Sequence, residues 1–300
     1  MTEKLFKDFP PVSTQQWEEQ IVKDLKGADY DKKLVWKTPD GFKVRPYYRA
    51  EDLEGMVPVR GTKEDNNWLV RQTFVVKDNL KEVNTLVLDA LQRGAESVGF
   101  RLETGRKLKK QDIAVLLQGV YVPAVELSFE GMDCSGSDTL YAFLEYLKES
   151  ETDPSAVRAR FSFDPLGDAF FKGTELRKED IGTLAELVKA CRTYPGIRVV
   201  SVPGYKWKNL GCGVVQELAC SLALGKEYID LLTENGLSRE EAAHALHFHM
   251  GIGLHYFLEI AKFRAMRVLW NGISEQTGSV HATTRFWDHT VYDMYVNLLR

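Results

Sequence analysis

The sequence predicts an α/β fold of the (β/α)8 barrel type, preceded by an N-terminal arm. Three observations carry this. β-rich runs and amphipathic helical runs alternate seven times between Trp68 and Leu299. Repeated strand–helix units require a parallel sheet with helices outside it. A run of that length favours a barrel over an open doubly wound sheet. The chain has 300 residues, 44% hydrophobic and 27% charged, enough for a sizeable core in one large domain or two small ones.

The arm, residues 1–60, opens with one amphipathic helix. Ser13 is a good N-cap, and Gln16 three positions on completes a capping box. Glu18 and Glu19 in the first turns and Lys23 and Lys26 in the last suit the helix dipole. Gly27 stops the helix. Its stripe, Trp17, Ile21, Val22 and Leu25, must dock either on the chain's own barrel or on a partner. Residues 33–48 read as a hairpin turning at Pro39-Asp40-Gly41. The arm carries 11 basic and 11 acidic side chains, so apolar contact rather than charge should place it. A linker, Arg49 to Gly61, follows.

The barrel, residues 61–300, begins with a strand at Trp68–Val76 and a helix at Leu80–Gln92. Further pairs follow at Ser97–Glu103 with Lys109–Leu117, Ala124–Glu130 with Leu140–Lys148, and Val157–Phe163 with Lys178–Arg192. The fifth strand, Ile197–Val202, precedes the helix Val214–Leu232. A small helix at Arg239–Ala245 leads into His247–Ile252 and the long helix Phe257–Ile273. The seventh strand is Val280–Phe286, with a last helix over Val291–Leu299. No eighth strand is read, so the sequence is expected to be a fragment truncated before it.

Net charge −4 and a pI near 5.9 offer nothing to nucleic acid or an anionic membrane. No apolar run approaches the roughly 20 residues of a spanning helix, and the N-terminus lacks the apolar core of a signal peptide. Cys134, Cys191, Cys212 and Cys220 form no C-x-x-C, which reads as reduced thiols in a cytoplasmic protein.

Chemistry in an α/β barrel sits in the loops leaving the strands' carboxyl ends. The loop after the fifth strand holds Tyr205, Lys206, Trp207, Lys208 and Asn209 among Gly204, Gly211 and Gly213. None is a pre-paired acid and base or a metal-ligand set. Gly211 and Gly213 could turn backbone N–H groups to an anion, or serve close packing. His247 and His249 share one face of a strand, and His255 and Glu259 lie four apart on the next helix. They could build a metal site, but hydrogen-bonded side chains filling a crowded barrel is the preferred reading. Glu126 and Glu130 share one face of the third strand without a companion base, which reads as a polar lumen. Arg106, Lys107, Lys109 and Lys110 read as a solvated run, and Asp164-Pro165-Leu166-Gly167 as a strand-end turn.

LKGADYDKKLVWKTPDGFKVRPYYRAEDLEG carries a W-x-T-x-x-G-x-x-V-x-P-x-Y-like pattern on Trp36, Thr38, Gly41, Val44, Pro46 and Tyr48 or Tyr47. With WLVRQ (Trp68–Gln72), Val215–Leu232, Gly251–Trp270 and Thr277–Arg300, it resembles the methylmalonyl-CoA mutase family over nearly the whole chain. The resemblance implies an adenosylcobalamin-dependent isomerase with a coenzyme A-binding barrel. It also implies a heterodimer in which arms of this kind wrap the other subunit. Three departures matter. The family's catalytic chains carry a tyrosine-rich insertion before W-x-x-R-Q, where this chain has only Thr62–Asn67. They read G-Y-H after the fifth strand, where this chain has Gly204, Tyr205 and Lys206. The cobalt-ligating D-x-H-x-x-G is absent, since Asp288 and His289 are adjacent. The resemblance therefore points to the small, non-catalytic subunit. No catalytic or metal-binding residue is expected, no cobalamin-binding domain such as that subunit usually carries, and no cofactor on this chain. Tyr205, Lys206 and Lys208 are the candidates for substrate contact: two lysines flanking Trp207 suit a phosphate or coenzyme A as well as a solvated loop. The partner would be the catalytic large subunit, holding the acyl-CoA. The alternative is an acyl-CoA-binding or catalytically competent isomerase barrel.

Overall fold

Strand and helix periodicity translate directly into the computed structural model, which describes residues 9–55, 67–103, 105–132 and 136–298. The linker residues 56–61, the stretch 62–66 and Cys134 lie outside the described residues. The chain divides into two units, Met1–Pro58 and Val59–Arg300.

In the first unit, α1 (Thr14–Asp24) carries the capping box: Ser13 Oγ accepts from Gln16 N at 3.2 Å, and Gln16 Oε1 from Ser13 N at 3.0 Å. Strands β1 (Trp36–Lys37) and β2 (Lys43–Val44) pair antiparallel, Trp36 opposite Val44. The turn between them needs Gly41, whose φ is +90°. Between α1 and β1 the chain inserts a helix absent from the sequence reading, α2 (Tyr30–Leu34). Asp29 nucleates it by accepting from Lys32 N at 2.9 Å, which shortens the expected hairpin at its start. Trp17 packs edge-on to Tyr47, ring centroids 6.1 Å apart, and Tyr47 donates to Glu18 at 3.2 Å. No residue of α1 is buried.

The second unit holds seven parallel strands in sequence order: β3 (Arg71–Val76), β4 (Ser97–Leu102), β5 (Glu126–Glu130), β6 (Arg158–Phe163), β7 (Ile197–Val202), β8 (Leu246–Ile252) and β9 (Ser279–Thr284). The helices joining them are α3 (Leu80–Gln92), α4 (Lys110–Leu116), α5 (Ser137–Glu149), α6 (Pro165–Lys172), α7 (Lys178–Ala190), α8 (Gly204–Asn209), α9 (Val214–Glu234), α10 (Arg239–His244) and α11 (Tyr256–Ser274). A short α12 (Met294–Leu298) follows β9. This is a curled sheet with flanking helices, the TIM-like fold expected.

Alternation along each strand divides the side chains. One set faces the helices. Phe74, Phe100, Phe129 and Phe161 stand opposite one another across β3, β4, β5 and β6. Phe129 stacks on Phe161 at 4.9 Å, and Phe143 of α5 closes on both. The other set faces the lumen and is polar: Arg71, Ser97, Glu126, Arg160, His247 and Ser279 lie in the layer nearest the strand starts. Where helix α9 crosses α11, Gly225 leaves no room for a side chain, since a Cβ would lie 2.9 Å from the Trp270 ring.

Candidate functional site

The lumen charges interlock. Arg71 Nη2 meets Glu126 Oε1 at 2.7 Å, and Arg160 Nη2 meets Glu126 Oε2 at 3.0 Å. Arg101 meets Glu130 at 3.2 Å. Burial pushes the Glu126 carboxyl up, but the Arg160 and Arg71 guanidiniums outweigh it and hold it below its ordinary value. Glu126 and Glu130 thus form ion pairs rather than an acid–base couple. Above this layer, His249 packs at a tilt against His281, ring centroids 4.5 Å apart, and bonds Thr283 through Nε2 at 3.0 Å. Burial drives His247 and His249 well below their ordinary range, and lowers His281 to about 3, with the Arg71 charge adding to the effect.

At the carboxyl end of β7 the chain forms α8 where the sequence reading expected a loop. Gly204 begins it because the backbone there passes against β8 and α9: a Cβ would lie 2.6 Å from Met250 Sδ and from Ser221 Oγ. Each following side chain meets a different part of the barrel. Tyr205 stacks on His249 at 4.1 Å, covering the lumen. Lys206 Nζ lies 3.4 Å from Asp168 Oδ1 and 3.8 Å from Asp164 Oδ2. Trp207 packs between Phe170 and Phe171, each at 4.7 Å. Lys208 is only 4% exposed and meets Glu259 at 3.0 Å and Glu217 at 3.9 Å. Asn209 Oδ1 accepts from Phe286 N at 3.0 Å, and its carbonyl accepts from the Trp287 indole.

Lys208 belongs to a buried square of alternating charge. Lys262 Nζ meets Glu217 at 2.7 Å and Glu259 at 2.6 Å, and Glu217 also accepts from Gly251 N at 2.7 Å. Lys208 is therefore no solvated loop lysine. Its ammonium is spent on two carboxylates, and Glu259 faces Lys208 and Lys262. Asp164-Pro165-Leu166-Gly167 is likewise more than a turn: it opens α6, with Asp164 as N-cap accepting from Gly167 N at 3.0 Å and Pro165 at the first helical position. Gly213 N donates to Gln216 Oε1 at 3.2 Å, so the start of α9 is capped from within. The basic run pairs at the surface: Lys107 with Asp138 at 2.8 Å, Lys110 with Glu149, and Arg106 with Asp78 at 3.5 Å.

A model of the methylmalonyl-CoA mutase family matches residues 98–300. The chain belongs to that family. Three relatives are each named methylmalonyl-CoA mutase small subunit. That of Porphyromonas gingivalis is 40% identical over 99% of this chain, that of Streptomyces virginiae 32% over 99%, and that of Propionibacterium freudenreichii subsp. shermanii 28% over 100%. The chain spans about half the length of these curated relatives: 51%, 52% and 51%. No helix among the described residues is long and apolar enough to cross a membrane.

His247, His249 and His281 are shut in the lumen, His244 Nε2 bonds Pro195 O at 2.7 Å, and the carboxylate beside His289, that of Asp288, is held by Arg285 at 3.0 Å. Among the described residues no three His, Cys, Asp or Glu side chains converge as a metal site. Sequence reasoning missed the arginines facing Glu126 and Glu130. For Arg160 the signal was its place in the alternation of the strand beside Glu126-x-Ser128-x-Glu130, which puts both signs on one face of adjacent strands; Arg71 and Arg101 sit on the two strands that precede that of Glu126.

Proposed function

We propose that this chain is the arm and barrel portion of a small, non-catalytic subunit of adenosylcobalamin-dependent methylmalonyl-CoA mutase. It supports the large subunit, which interconverts methylmalonyl-CoA and succinyl-CoA. The carrying observation is Lys206. It stands where the family's catalytic chains hold a substrate-facing histidine, and its ammonium lies between Asp164 and Asp168. A lysine so held is no counterpart of a neutral imidazole turned to a substrate. The names of the relatives support the same reading.

In this reading the cofactor and the acyl-CoA belong to the partner, and Tyr205, Lys206 and Lys208 build the barrel rather than a substrate site. The arm, with Trp17 51% exposed, is the partner-binding element of a cytoplasmic heterodimer. The test is co-purification with a catalytic large subunit from the same source, followed by a mutase assay with and without this chain. Stable association that raises or preserves the large subunit's activity is expected. A large subunit equally active and equally stable alone, with no association, overturns the proposal.

A further inference from the structure

At the carboxyl-end mouth of the barrel, α6 and α8 hold each other by two contacts of different kinds. One is apolar, Trp207 on Phe170 and Phe171. The other is ionic and centres on Asp164, which is 5% exposed. Its Oδ1 accepts the Tyr228 hydroxyl at 2.7 Å and Gly167 N at 3.0 Å. Its Oδ2 accepts no hydrogen bond among the described residues. That oxygen lies over Gly167, where a Cβ would come within 2.0 Å of it. A buried carboxylate with one bare oxygen depends on a nearby cation to stay ionised. Here the cation is Lys206, 3.8 Å away.

We propose that Asp164 and Lys206 form a proton-gated tether between α6 and α8, in which Lys206 holds two carboxylates of the α6 segment when Asp164 is ionised and Asp168 alone when Asp164 takes up a proton. The groups facing Asp164 are Lys206 and Tyr205 from α8, Tyr228 from α9 and Asp168 from α6 itself. Lys206 is the cation among them. Burial pushes the Asp164 carboxyl up to about 7; Lys206, Tyr228 and the Gly167 N–H pull against it, and Asp168 adds to it. Once Asp164 is neutral, Lys206 keeps Asp168 alone, and Lys172 shares that carboxylate at 3.2 Å. Oδ1 still caps α6, so the helix persists and only its hold on α8 changes. The folded chain carries a proton on Asp164 that the unfolded chain lacks between about pH 4 and pH 7, so protonation of Asp164 adds to global stability as pH falls through that window.

The full chain labelled with 5-fluorotryptophan supplies the test, with Trp207→Phe assigning the Trp207 fluorine signal. Titrated from roughly pH 5.5 to 8.5, that signal moves with one midpoint near 7. Lys206→Met raises the midpoint by roughly half a pH unit or more, Asp168→Asn lowers it, and Asp164→Asn abolishes the titration. A flat signal in the unmutated chain, or a titration that survives Asp164→Asn, overturns the proposal. Should Asp164→Asn not fold, a midpoint that stays or falls in Lys206→Met does the same.

Discussion

Arg160 on β6 donates through Nε to Ser279 Oγ on β9 at 3.2 Å, with β7 and β8 between them in the sheet. The bond spans the interior and makes the curl of the sheet a matter of side-chain contact as well as strand twist. It also places a fixed cation near His247, whose imidazole is held well below its ordinary value first by burial and then by that charge.

Acid should therefore weaken the fold. His247, His249 and His281 have folded values below their unfolded 6.5, so the unfolded chain binds protons that the folded chain refuses. Their contribution is complete above about pH 6.5 and is lost as pH falls, down to about 3 for His281. Asp164 opposes this between 7 and 3.8, but it is one group against three. Urea unfolding of the full chain at pH 7.5 and 5 should show the loss. In His281→Gln the slope over that interval should be shallower by roughly 1 kcal/mol per pH unit. An unchanged slope would remove His281 from the account.

The charge square predicts a large cost at Lys208. Lys208→Ala leaves Glu217 and Glu259 with Lys262 alone in a site closed to water, and the loss on urea unfolding should be roughly 3 kcal/mol. Adding Glu259→Ala should return part of that loss, because the pair is coupled. A single-variant cost under about 0.5 kcal/mol would mark Lys208 as effectively solvated.

For the arm, Trp17→Ala and Trp36→Ala should each weaken association with the large subunit by on the order of 2 kcal/mol. Melting of the isolated chain should not change. The opposite pattern, lower melting and unchanged association, would assign both tryptophans to the chain's own fold.

The isolated chain, given adenosylcobalamin and methylmalonyl-CoA, should show no turnover. A spectrophotometric assay for succinyl-CoA checks it, and sustained turnover by purified chain would sink the non-catalytic reading.

Most of the barrel could be read from the sequence because its strands are short β-rich runs at regular spacing. The predicted Ser97–Glu103 and Ile197–Val202 fall on β4 and β7 within a residue. What escaped was local structure that distant residues complete. Gly204-Tyr205-Lys206-Trp207-Lys208-Asn209 has weak helix propensity, and it is helical because Trp207 packs on α6 and Lys208 is drawn between Glu217 and Glu259. No spacing announces that Glu217, Glu259 and Lys262 converge on Lys208; their meeting depends on how α9 and α11 cross at Gly225. Asp164 offered a usable signal, Asp-Pro followed by an apolar run, which is a helix start as much as a turn.

The helix α8 has a genetic consequence. Its neighbouring side chains look into separate neighbourhoods: Tyr205 into the lumen, Lys206 toward Asp164, Lys208 toward Glu217 and Glu259, Asn209 toward Phe286. Positions adjacent in the chain should therefore vary independently, while residues forty or fifty apart change together. A lineage that replaces Lys206 is expected to change Asp164 or Asp168 and leave Lys208 alone.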